Sequence, residues 1–433
     1  MKYYSTNKKS PLVRFKEATI KGQAPDKGLY FPETIPQVDK DLIDNIGKFS
    51  NEEIAFRVIK PYVGNDIPAK KLFDIVEETV NFSIPLVPVA ENIQTLELFH
   101  GNTLAFKDIG ARFMSRCLGY FVKDDERKIT VLVATSGDTG GAVADGFYDI
   151  EGVEVVILYP SGKVSLVQEK QLTSLGKNIH ALEVNGTFDD CQKMVKQAFA
   201  DTALNEKLFL TSANSINVAR WLPQQFFYFF AYKQWGHKEQ PVIISVPSGN
   251  FGNICAGLLA KKSGLPIEHF IAACNANDVV PKFIESATYK AQQSVATISN
   301  AMDVGDPSNF IRIIELFNNR FPDLKNILSA YSISDAETKQ TIQQVYKQYN
   351  YLLDPHGAVG YAALKNYLND HRGEKGIFME TAHPVKFYDA VEPLLNIKIE
   401  LPASVQHIMD KPKHALKIDA DYESMKSFIL RVI

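Results

Sequence analysis

Apolar residues recur along the chain with two different periods, and the change between them divides it. In the first ninety or so residues, "NEEIAFRVIKPYV" and "AKKLFDIVEETVNF" place apolar side chains three and four apart, between turn-rich stretches such as "GQAPDKGLYFPETIP". This predicts an N-terminal helical unit. From about Ile129 the texture becomes an apolar run, a Gly/Ser/Thr/Asp turn and then small residues at helical spacing, as in "ITVLVATSGDTGGAVADGFY". "VEVVILYPSGKVSLVQEKQLTSLG" repeats strand, polar turn and helix, and "PVIISVPSGNFGNICAGLLAKKSG" does so again from Pro241. Such alternation predicts an α/β fold of parallel βαβ units, with helices on both sheet faces and functional loops at the carboxyl ends of strands. The aromatic run Phe226 to Tyr232 reads as a buried helix face. No internal repeat of fixed period is present, and the stretch from about Leu394 to Ile433 shows no decisive pattern.

Composition narrows the function classes. With 433 residues, 45% hydrophobic and 22% charged, the chain can bury the cores of two or three domains. A formal net charge of -3 and 11% aromatic residues argue against disorder and against a basic nucleic-acid surface. The N-terminus "MKYYSTNKKSPLVRF" lacks the apolar core of a secretory signal, and "FFYFFAY" is too short to span a bilayer, so no membrane partner is expected. Cys117, Cys191, Cys255 and Cys274 are far apart without CxxC spacing, which disfavours a disulfide framework or a zinc site and fits a reducing cytoplasm. The nine histidines form no HExxH pair, and no EF-hand loop is present; no catalytic metal is expected, while a structural or monovalent ion stays open.

Four segments carry candidate chemistry. Lys107 stands in "HGNTLAFKDIGARF" among Ala105, Phe106 and Ile109, where an ammonium ion is expensive to bury. Either it snorkels to water or it is there for its chemistry. In "SVPSGNFGN", a strand ends at Val246, and Gly249 and Gly252 let backbone N–H groups converge where a helix points its positive end, a site for phosphate. No GK[ST] follows and the glycines are spaced GxxG, so neither a P-loop nor a dinucleotide fingerprint is met, and a plain strand-to-helix turn is the alternative. "ATSGDTGG" offers Ser136, Thr139 and backbone N–H groups to a carboxylate or phosphate, but Asp138 must then meet a cation or hydroxyl, or serve as a helix N-cap. "TSANSINVARW" gathers Asn214, Ser215, Asn217 and Arg220 within about two helical turns, suited to a phosphate dianion or to an ordinary capped helix with a surface arginine. Together these admit one explanation. A buried lysine of lowered pKa forms Schiff bases, and a phosphate cup beside it fits pyridoxal phosphate, which combines aldehyde and phosphate.

Eight segments, "GQAPDKGLYFP", "HGNTLAFKDIGARF", "TSGDTGGA", "NSINVAR" with the following "PQQ", "PSGNFGN", "MDVGDPSNF", "DPHGAVG" and "ETAHPVKF", resemble the threonine synthase family, in that family's order and over most of the chain. The family belongs to the tryptophan-synthase-like, fold type II pyridoxal-phosphate enzymes. The resemblance implies two three-layer α/β/α domains with parallel-rich sheets and a mostly helical N-terminal segment. The expected divisions are 1–92, a large cofactor-binding domain of 93–114 and 212–400, a smaller domain of 115–211, and a C-terminal segment of 401–433. It further implies that Lys107 forms the Schiff base and shuttles protons, while Gly249, Asn250, Phe251, Gly252 and Asn253 hold the cofactor phosphate. Thr381 would face the pyridine nitrogen and Asp138 the 3′-oxygen. The implied substrate is O-phospho-L-homoserine, its carboxylate at Ser136, Gly137 and Thr139 and its phosphate at Asn214, Ser215 and Arg220. A monomer is expected, with a homodimer as the alternative. Val218 and Asp138 depart from shorter relatives, which have proline and asparagine there, and both departures are typical of the longer subtype. His356 and His383 read as turn or helix-start residues satisfied by hydrogen bonds, and "MDVGDPSNF" as a lining of the cleft. A serine/threonine dehydratase or a cysteine synthase is the nearest rival, but "NSINVAR" is superfluous for a substrate without phosphate. A binding module that has lost catalysis would not need Lys107, and a nicotinamide dehydrogenase would need the missing GxGxxG spacing.

Overall fold

The computed structural model describes residues 1–123, 128–237 and 239–433. Its N-terminal segment holds the two helices expected from spacing, Asn51–Val63 and Ala69–Thr79, the first capped by the Ser50 side chain. Beside them lies a small antiparallel sheet of β1 (Lys2–Ser5), β2 (Val13–Arg14) and β3 (Tyr30–Pro32), in the order β2-β1-β3. Strands of two to four residues are too short to display a period, so the pattern predicts only helices and turns there.

The apolar runs become the strands of two larger sheets. In chain order these strands are β4 (Leu86–Ala90), β5 (Ile93–Glu97), β6 (Ile129–Ala134), β7 (Val153–Pro160), β8 (Ile179–Asn185), β9 (Phe209–Ser212), β10 (Ile243–Pro247), β11 (His269–Cys274), β12 (Leu328–Ser332), β13 (Gly376–Glu380) and β14 (Ala415–Asp419). The larger sheet has the order β12-β11-β10-β13-β5-β4 and is parallel except for the β4–β5 hairpin. The smaller is parallel throughout, β14-β8-β7-β6-β9. Every residue of β6, β10 and β13 is buried, as strands covered by helices on both faces require. The helix Phe226–Gln234 buries Phe226 to Ala231 on all sides, so the expected apolar face is widened to the full circumference of its first six residues.

Two strands come from outside the βαβ repeats. β4 lies in residues grouped with the N-terminal unit yet forms an edge of the larger sheet, and β14, from the undecided C-terminal stretch, extends the smaller one. β14 pairs with a strand far away in the chain, and β4 joins its sheet through a short antiparallel hairpin with β5, so the repeating strand–turn–helix pattern announces neither.

This topology delivers every candidate segment to the carboxyl end of a strand. β5, β10 and β13 are neighbours or next neighbours, and they lead into the Lys107 segment, the glycine-rich loop and Thr381. From the smaller sheet, β6 leads into the Ser136–Thr139 loop and its neighbour β9 into Asn214 and Arg220. Among the described residues, no helix is long and apolar enough to cross a membrane.

Candidate active site

Lys107 is held by a backbone zipper. Phe106 N–H donates to Thr381 O at 2.9 Å and His383 N–H to Leu104 O at 3.0 Å, with Ala105 bridged to Ala382 between them. Leu104 adopts φ 58°, a left-handed conformation costing about 1 kcal/mol for a non-glycine residue, which these bonds offset. Lys107 therefore opens the helix Lys107–Val122 with its side chain 17% exposed and its Nζ 3.4 Å from Asp138 Oδ2. Burial lowers its pKa; Asp138 opposes this, and Lys386 and Arg220 add to it. The neutral amine is favoured relative to a lysine in water.

Asp138 is the first residue of the helix Asp138–Phe147, and its side chain is not a cap. It accepts from Lys386 Nζ at 2.9 Å and Gln168 Nε2 at 3.0 Å. Burial alone would raise its pKa, but Lys386 and then Lys107 outweigh burial and hold it well below the usual carboxylate range. Gly137 before it has φ 135°, and a Cβ there would stand 2.5 Å from the Gln168 side chain. Thr135 Oγ1 accepts from Gly137 N–H and Gly140 N–H at 3.0 and 2.9 Å, fixing the turn. The half-buried hydroxyls of Ser136 and Thr139 have no hydrogen-bond partner among the described residues.

The loop after β10 gathers unpaired backbone N–H groups at a helix start. Phe251 takes φ 60° immediately before the helix Gly252–Lys262, and the N–H groups of Gly249 to Asn253 meet no acceptor among the described residues. The Asn253 side chain donates to Pro247 O at 2.7 Å and accepts from Ile254 N–H, so it shapes the loop and leaves its backbone N–H to a ligand. Asn250 donates to Ser215 Oγ at 2.7 Å and accepts from Ser308 N–H at 2.6 Å. The "MDVGDPSNF" segment, residues 302–310, thus buttresses the loop through Ser308. A Cβ on Gly249 would lie 2.6 Å from Met302 Cα, where only backbone could give way. Gly249→Ala is expected to weaken pyridoxal-phosphate binding about 10- to 100-fold in an absorbance titration of the apoprotein, the range of a one-methyl overpacking.

The segment after β9 divides into structural and free groups. Asn217 donates to Thr19 O at 2.9 Å and Ser212 O at 3.3 Å and caps Ala219 N–H, so it holds the loop and is not available to an anion. Asn214 and Ser215 are half-buried, and Ser215 Oγ also accepts from Asn309 at 3.1 Å. Arg220 is 3% exposed, donates to Ala213 O at 2.6 Å, and has no partner for Nε among the described residues. Burial brings its pKa down to about 10, with Asp108 opposing. A Cβ on Gly110, one turn beyond Lys107, would meet Arg220 O at 2.6 Å and Nε at 3.1 Å, so this glycine lets the guanidinium lie against the lysine's helix.

Thr381 follows β13, 6% exposed, between the lysine segment and the glycine-rich loop. His356 is a satisfied helix-start residue: Nδ1 donates to Asp354 Oδ1 at 2.5 Å and Nε2 accepts from Ala301 N–H at 3.2 Å. His383 Nδ1 accepts from Val385 N–H, and burial lowers its pKa to about 4. Lys386, Gln168 and Arg312 escape the sequence reading. Arg312, fully buried, donates to the carbonyls of Tyr30, Ser215 and Ile216 and to Asn309 Oδ1, tying the N-terminal segment to the anion loops.

Comparison with known proteins matches these features to one group. The family "Pyridoxal-phosphate dependent enzyme" matches residues 95–379, "Threonine synthase N terminus" matches 2–80, and "Threonine synthase, C-terminal" matches 357–429. The threonine synthase of Haemophilus influenzae is 43% identical over 432 residues, covering 100% of both chains. The crystal structure of threonine synthase from Escherichia coli superposes with a TM-score of 0.92 at 41% identity, covering 100% of both chains. That of pyridoxal-phosphate-bound threonine synthase from Brucella melitensis gives 0.93 at 35% identity, covering 100% of this chain and 99% of that one.

Proposed function

The chain belongs to the threonine synthase family, and from that premise we infer how its cleft converts O-phospho-L-homoserine and water into L-threonine and phosphate. The fold is that of the fold type II pyridoxal-phosphate enzymes, and pyridoxal phosphate is the cofactor. The cleft suits it: a lysine with a depressed pKa, a cradle of unpaired N–H groups that a Cβ at Gly249 would disrupt, and a carboxylate already matched by cations. When bound, the cofactor draws electrons from the amino acid's carbon skeleton, which no side chain of the cleft can do.

The protein's own groups divide the remaining work. Lys107 Nζ is the attachment atom and, as a free neutral amine, takes protons from Cα and then Cβ of the substrate. Gly249 to Asn253 receive the cofactor phosphate, Thr381 serves the ring nitrogen without protonating it, and Asp138 serves the 3′-oxygen. Ser136, Gly137 and Thr139 bind the substrate carboxylate at the start of the helix Asp138–Phe147. Asn214, Ser215 and Arg220 bind the substrate phosphate and stabilise the charge that grows on it as the Cγ–O bond breaks. Water then adds at Cβ, and exclusion of water until that point calls for closure of the cleft.

The observation that carries this reading is the buried guanidinium of Arg220, without a carboxylate partner among the described residues, in a cleft that already has one phosphate cradle. A second anion site has no use in a dehydratase. Four buried, unpaired cysteines support a reducing cytoplasm. Incubation with O-phospho-L-homoserine is expected to release phosphate and threonine in equal amounts from a protein carrying the cofactor's visible absorbance. Absorbance without phosphate release would move the assignment to a dehydratase or a cysteine synthase.

A further inference from the structure

Lys386 has no part in the chemistry above, yet its side chain is wholly buried beside Asp138. It lies in the short helix Pro384–Phe387 after β13, with none of its side chain exposed. A buried ammonium ion needs close partners, and its partners are Asp138 Oδ1 at 2.9 Å and Thr103 O at 2.7 Å. Asp138 opens a helix of the smaller sheet, whereas Lys386 and Thr103 belong to segments leaving the larger one. Gln171, on the helix Leu166–Thr173, donates to the same Thr103 carbonyl at 3.0 Å. Lys386 thus joins segments from the two sheets through the same carboxylate that faces Lys107.

Resting on the assignment of Lys107 as the attachment residue, we propose that Lys386 is a positioning residue, which grips one oxygen of Asp138 and neutralises its charge, so that the Lys107 nitrogen readily gives up its proton. One observation and one electrostatic argument converge on this. Asp138 offers one oxygen to each lysine, Oδ1 to Lys386 at 2.9 Å and Oδ2 to Lys107 at 3.4 Å, so the nearer and more deeply buried cation takes the larger share of the carboxylate. A bare carboxylate beside the cofactor's 3′-oxygen would also repel it, and a cation behind Asp138 removes that conflict. The charge at Lys107 is set by Asp138, by Lys386 and by Arg220; Asp108 faces Arg220, and His383 faces Lys386. Of these, Lys386 and Arg220 push the proton off Lys107 and Asp138 holds it on.

The pH dependence of the holoenzyme's visible absorbance reads this directly, because its midpoint follows the proton on the Lys107-derived nitrogen. Lys386→Met is expected to raise that midpoint by about one pH unit, since the nitrogen then faces an unneutralised carboxylate. Lys386→Arg keeps the charge and should stay near the wild type. Asp138→Asn should lower the midpoint, and adding Lys386→Met to it should leave it close to that of Asp138→Asn, because no carboxylate charge is left to neutralise; this comparison holds even if the single Lys386→Met chain does not fold. An unmoved midpoint in Lys386→Met, or a double variant whose midpoint lies about one pH unit above that of Asp138→Asn, would overturn the proposal. Failure of the Lys107 assignment has a different signature: a Lys107→Ala protein whose cofactor borohydride still fixes to the chain.

Discussion

Lys107→Ala is expected to lower threonine formation by about four orders of magnitude and to abolish borohydride fixation of the cofactor to the chain. The size follows from loss of two functions in one atom, attachment and proton transfer, in a cleft that offers no substitute. Lys386 is the other lysine beside Asp138, but its side chain is wholly buried and its Nζ is bound to Asp138 and Thr103. His356 and His383 cannot serve either, the first engaged at both ring nitrogens and the second held neutral by burial and bonded to Val385. Non-covalent retention of the cofactor is expected to persist, because the cradle of Gly249 to Asn253 does not depend on the lysine. Mass spectrometry after borohydride treatment checks this. A fixed cofactor on the alanine variant would identify a different attachment residue and would remove the basis for the roles of Asp138 and Lys386 together.

The parts legible in the sequence are those that a short window contains. Lys107 among apolar neighbours, the glycine pair of "PSGNFGN" and the Arg220 cluster each join a local conformation to a chemical type, and the parallel sheets follow from repeated strand, turn and helix. Lys386 carries the same local signal as Lys107, a lysine among Pro384, Val385 and Phe387, but its meaning lies in a partner 248 positions away, Asp138. Asp138 itself is ambiguous locally, because aspartate before a helix is ordinarily a cap. Only the cations arriving from the other side of the cleft make it an ion-pair partner. Gly110 is hidden for the complementary reason, since a glycine inside a helix reads as a weakness until Arg220 is found lying against it. Asn217 errs in the other direction: its neighbours suggest an anion ligand, while its amide is taken by Thr19 O, a carbonyl of the N-terminal segment.

Arg220→Ala is expected to lower kcat/KM for O-phospho-L-homoserine about 1,000-fold while changing cofactor affinity little. Removing one preorganised donor to developing charge costs two to three orders of magnitude in rate, and a guanidinium stands at the upper end of that range. The residue also donates to Ala213 O at 2.6 Å, so part of any loss could come from a displaced loop. Inorganic phosphate, the product, separates the two effects. It should compete with substrate in the wild type, and Arg220→Ala should weaken that competition by a factor similar to the loss in kcat/KM. A displaced loop would instead disturb the cofactor, because Ser215 accepts from Asn250 of the cofactor-phosphate cradle. Arg220→Lys keeps a charge but cannot supply a planar fork and the Ala213 bond together, so it should fall between the two. If the alanine variant kept its kcat/KM within tenfold and its inhibition by phosphate unchanged, the substrate phosphate would have to bind elsewhere, and the argument against a dehydratase would lose its structural support.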